Sequence, residues 1–107
     1  MKSLQATKIS EVAEALLESG YQRLPEQASV LGLPRSTAWT ILRAQHKNYG
    51  LSAAVIKQML AQPQLPCSVR AKICEYIKEK QAGVYGDNAQ RLRRFSAALL
   101  SDEEAMM

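Results

Sequence analysis

Apolar residues recur at helical spacing along most of this chain. Between Thr7 and Ser19, Ile9, Val12, Ala13, Leu16 and Leu17 share one side of a helical cylinder, while Glu11, Glu14 and Glu18 lie elsewhere on it. That pattern predicts an amphipathic helix facing a core, stopped by Gly20. Three Leu-Pro pairs follow, Leu24-Pro25, Leu33-Pro34 and Leu65-Pro66. Each is predicted to open a helix, because a first turn does not use the N–H that proline lacks. A further start is predicted at Asn48 to Ser52, with Ser52 as the cap and Leu51 and Ile56 as an apolar staple around it. That helix should run from Ala53 to near Ala61 and bury Val55, Ile56, Met59 and Leu60. Gln62 to Pro66 reads as a connector. Ser68 to Gln81 reads as a helix with Val69, Ile73, Tyr76 and Ile77 on one stripe, and Gly83 to Asp87 as a turn. A last helix is predicted from Asn88 to Leu100, with Leu92, Phe95 and Leu99 inward. No run alternates β-branched and polar residues as a strand would. The pattern predicts an all-α fold, a compact bundle of five or six short helices.

The 107 residues suit one domain, expected over residues 1–100, with a flexible acidic tail over residues 101–107. A composition 47% apolar and 22% charged argues against disorder. No apolar run approaches the ~20 residues of a membrane span, so no membrane partner is expected. Met1 to Ile9 contains no apolar signal core. The two cysteines, Cys67 and Cys74, form no Cys-x-x-Cys pair and sit too far apart along one helix for a direct disulfide. A cytoplasmic protein with reduced thiols is expected, with Cys74 as a small core residue.

Charge changes the picture through its distribution. The net charge is +4, yet no acidic residue occurs between Glu26 and Glu75. Residues 20–74 carry Arg23, Arg35, Arg43, Lys47, Lys57, Arg70 and Lys72 against Glu26 alone, whereas residues 1–19 and 75–107 each carry a net −1. A basic middle between near-neutral flanks suits an anionic partner, although a solvated surface can show the same asymmetry.

Within that middle, residues 24–43 carry the most specific pattern. Ala28 is small where a second helix would cross closely. Gly32 follows four residues later, where a tight turn needs a conformation that a Cβ disfavours. Leu31, Leu33, Ala38, Ile41 and Leu42 stand at offsets that would pack the second helix. This run resembles the helix-turn-helix of phage repressors and lac-repressor-type regulators. Pro34 stands where that family usually has a Ser or Thr cap, and is expected to start the second helix instead. The resemblance implies a recognition helix, Arg35 to Arg43, in the major groove of double-stranded DNA. It implies that Arg35 meets a guanine, whose O6 and N7 acceptors match a two-pronged donor. Ser36 and Thr37 would bond phosphate or base, and Thr40 would touch a base edge or thymine methyl. Arg43 and Lys47 would meet phosphates. Trp39 reads first as a partly buried packing residue.

Other features carry less. His46 lacks the partners a metal site needs, and no metal or other cofactor is expected. No phosphate loop, nucleophile–base set or His-Glu-x-x-His motif occurs, so no enzyme is expected. Arg91, Arg93 and Arg94 form a second basic cluster that reads as a solvated face or as a contact for DNA backbone or an acidic partner. The expected function is a sequence-specific transcriptional regulator of bacterial or mobile-element type, with no small-molecule effector. A homodimer through the helices after Pro66 would supply two half-sites. The alternative is a protein-interaction module, such as an anti-activator, antirepressor or adaptor, that uses the hairpin without DNA. An RNA-binding helical protein is a further rival, against which the few dispersed aromatics count.

Overall fold

The computed structural model describes residues 4–42 and 51–105, with the backbone path alone for residues 101–105. The described residues form six helices and no strand: α1 Leu4–Glu18, α2 Leu24–Leu31, α3 Arg35–Leu42, α4 Ala53–Leu60, α5 Cys67–Gln81 and α6 Ala89–Ala105. The predicted all-α bundle is the architecture observed.

Local chemistry sets the boundaries. Gly20, at φ 99°, ends α1, with Tyr21 N–H donating to Leu16 O and Gly20 N–H to Leu17 O. Those two bonds satisfy carbonyls that the helix end would otherwise leave open. Pro25 lies in the first turn of α2. Pro34 and Pro66 instead stand just before α3 and α5, where their carbonyls accept from Ala38 N–H and Arg70 N–H. No helical bond is lost at any of the three. Ser52 caps α4, its hydroxyl accepting from Val55 N–H at 3.2 Å.

One core joins all six helices. It runs from Ile9, Val12 and Leu16 through Leu31, Ala38 and Leu42 to Ile56, Met59, Val69, Ile73, Tyr76 and Phe95. α5 packs along α1, α2 along α3, and α4 against α6. Tyr76 is fully buried at the junction of three segments. Its hydroxyl donates to Gln5 Oε1 at 2.6 Å and accepts from Leu51 N–H at 2.8 Å.

Some expectations change, among them Leu17, which is 47% exposed although its spacing groups it with the core side of α1. Cys74 is exposed, as is Cys67, because Val69, Ile73 and Tyr76 take the inward stripe of α5 and Cys74 falls beside it. The α5 stripe, Val69, Ile73 and Tyr76, lies in the monomer core, and α5 packs against α1. The last helix does not stop at Leu100 but continues to Ala105, since no Gly or Pro interrupts residues 89–105.

Candidate functional site

α2 and α3, eight residues each, are joined by the three-residue turn Gly32-Leu33-Pro34. Gly32 has φ 71°, a left-handed conformation that residues with a Cβ rarely adopt. From there Gly32 N–H donates to Ser29 O at 3.1 Å and Leu33 N–H to Ala28 O at 3.0 Å. Leu33 turns into the core beside Leu31. The turn is braced from α4, where the Gln58 amide donates to Gly32 O and the Gln62 side chain lies against the Gly32 Cα. The small residues Ala28 and Ala38 are both buried where α2 meets α3.

Packing this side of α3 fixes what the other side presents. Ala38 and Leu42 are buried and Ile41 is partly buried, so Arg35, Ser36, Trp39 and Thr40 face solvent. Thr37 sits half-buried at the flank. Arg35 makes no ion pair among the described residues, which leaves its guanidinium available to a ligand. The Thr40 hydroxyl donates to Ser36 O at 3.0 Å, so its proton is used within the helix. The Thr40 side chain as a whole remains exposed. Arg43, His46 and Lys47 lie outside the described residues.

Trp39 corrects the sequence reading. It is 50% exposed, on the same side as Arg35 four residues earlier. The signal was present: once Ala38, Ile41 and Leu42 are core, helical spacing puts position 39 outside. The basic middle also shrinks. Arg70 donates to Leu60 O at 3.0 Å and to Gln62 O at 3.2 Å, closing the end of α4. Lys72 lies 3.3 Å from Glu11 and 3.6 Å from Glu75. Both cations are spent inside the fold, and Arg35 remains the cation on the outer face of described α3.

No buried side-chain polar atom among the described residues lacks a partner, and no group of three or more His, Cys, Asp or Glu there could hold a metal. No helix among them is long and apolar enough to cross a membrane. Comparison with known families, curated proteins and solved structures gave no match.

Proposed function

We propose that this protein is a sequence-specific DNA-binding regulator in which α2, the turn at Gly32 and α3 act as a helix-turn-helix. One observation carries the reading. α3 is anchored through Ala38 and Leu42 and turns outward a face with one free cation, two hydroxyls, one indole and no acid. A helix so presented matches what a major groove offers, with acceptors for Arg35 and thymine methyl groups for Trp39 and Thr40. The absence of any acidic residue between Glu26 and Glu75 removes repulsion from phosphates along the approach. Arg43 and Lys47 belong to the proposal as phosphate contacts on sequence grounds.

The test uses duplexes selected from a randomised pool, compared with random-sequence duplex DNA across a salt series. The wild-type protein should show a steep loss of affinity with salt on both. Arg35→Ala should cost about 1–3 kcal/mol on the selected site and less on random DNA. Equal losses on both would demote Arg35 to a phosphate contact.

Trp39 favours a second reading. A half-exposed indole is also a common anchor of protein interfaces, so the same face could dock a protein partner as an antirepressor or adaptor would. That reading predicts little affinity for random duplex DNA and no steep salt slope.

A further inference from the structure

We infer that α6 is a self-association element that pairs with α6 of a second copy of this chain, antiparallel. Two features of the helix point there, and neither depends on the DNA reading.

The first is the sense of its charges. A helix favours negative side chains at its start and positive ones at its end, because unpaired N–H groups crowd the start and unpaired carbonyls the end. α6 is built the other way round. Arg91, Arg93 and Arg94 lie near its start, and the sequence places Asp102, Glu103 and Glu104 in its last turn. The three arginines are exposed and make no ion pair among the described residues. Alone, the helix bears an electrostatic penalty at both ends. An antiparallel copy reverses this, since each basic start then lies along an acidic end.

The second is a stripe of positions along one side of the helix. Phe95 is buried in the core, Leu99 packs half-buried against it, and Leu92 is half-buried. Positions 93, 97, 100 and 104 follow one another at steps of four, three and four along a different side, the spacing of a helix-pairing seam. They hold Arg93, Ala97, Leu100 and Glu104. Leu100 is 62% exposed, and Ala97 is exposed beside it. The stripe is complementary to its own antiparallel image. Placing Arg93 opposite Glu104 of the second copy puts Ala97 opposite that copy's Leu100, and the two-fold axis repeats both pairs. A small residue facing a large one lets the helices approach closely. A parallel copy would instead oppose arginine to arginine. A pairing of one helix per copy is small, so its affinity should be modest and should weaken with salt.

Sedimentation of the full chain without DNA, at tens of micromolar and low salt, tests the proposal. Wild type should sediment as a concentration-dependent dimer. Arg93→Glu and Glu104→Arg should each sediment as monomers with unchanged helical circular dichroism, because both alter exposed or terminal positions. Mixing the two variants should restore a dimer, since each then supplies the charge that the other lacks. The double variant carrying both substitutions should dimerise by itself. A wild-type monomer under these conditions, or a failure of the mixture to associate, overturns the inference. Because DNA is absent, that result leaves the role of α3 untouched, while loss of DNA binding with the dimer intact would leave α6 untouched.

Discussion

Two residues carry loads out of proportion to their size. Gly32 holds φ 71° while Gln58 and Gln62 of α4 close over it. A Cβ there would meet the Gln62 side chain, whose flexible end can move aside, so the lasting penalty comes from the backbone. Left-handed φ costs a residue with a Cβ roughly 1–2 kcal/mol, and a β-branched residue more. Gly32→Val should therefore lower stability to unfolding by at least that amount, measured by urea titration, and an unchanged midpoint would contradict the turn assignment. Tyr76 ties α1, the start of α4 and α5 together through one hydroxyl. Tyr76→Phe leaves Leu51 N–H without its partner and should cost about 1–3 kcal/mol. Burial pushes the Tyr76 phenol up from 10.0 to about 12, partly offset by its bond from Leu51. A raised acid of this kind favours folding while it is protonated. Its contribution is full below pH 10.0 and lost as pH rises through about 12. The alkaline limb of a stability profile should therefore be shallower in Tyr76→Phe. It should not vanish, because burial and the Glu79 bond raise Tyr85 as well.

At the scale of elements, α4 shows how both ends of a short helix are secured. Ser52 meets the start, and the Arg70 guanidinium, reaching across from α5, meets Leu60 O and Gln62 O at the finish. A cation there also opposes the partial negative charge of a helix end. Arg70→Met should cost about 1–2 kcal/mol in thermal or urea unfolding. It should also leave the salt slope of DNA binding unchanged, because this guanidinium is committed within the fold. The contrast with Ser52 shows what a sequence can tell. Ser52, Gly20, Gly32 and the three Leu-Pro pairs act within one turn of chain, so their roles are legible from neighbours alone. Arg70 acts across a loop, and nothing in its own segment separates it from Arg35. The same limit explains Cys74 and α5. An apolar stripe announces that a helix is covered, but not whether α1 or a second copy covers it. On α3 the outward positions of Arg35, Ser36 and Thr40 follow from the apolar spacing, and Trp39 follows too once that spacing is given priority over its size.

Across the whole molecule, the longest-range polar contacts clamp the first helix to the fifth. Lys8 of α1 lies 3.1 Å from Glu11, 2.8 Å from Glu75 and 3.4 Å from Glu79, while Lys72 of α5 shares Glu11 and Glu75. The network joins α1 and α5, two helices that pack together and whose buried residues Val12, Leu16, Val69 and Ile73 belong to one core. The hydrogen bond from Lys8, then the one from Lys72, holds the Glu11 carboxyl below its ordinary value of 4.5. The bond from Lys8 and its charge do the same for Glu75. Each carboxylate thus binds its proton less readily folded than unfolded. A depressed carboxylate contributes stability that is fully present above its unfolded value and is lost as pH falls through its folded one. The clamp should therefore weaken progressively below pH 4.5 and be unchanged between there and neutrality. Both carboxylates are partly exposed, so each bridge is screened and the gain from any one pair is small. What the network adds is a common centre, since Lys8 serves three carboxylates at once. Lys8→Met keeps the aliphatic stem against α5 and removes that centre. Urea midpoints for wild type and Lys8→Met should differ at neutral pH and draw together as pH falls below 4.5 and the Glu11 and Glu75 carboxylates take up protons. A gap that stayed constant over that range would mean that Lys8 acts through its packing rather than its charge.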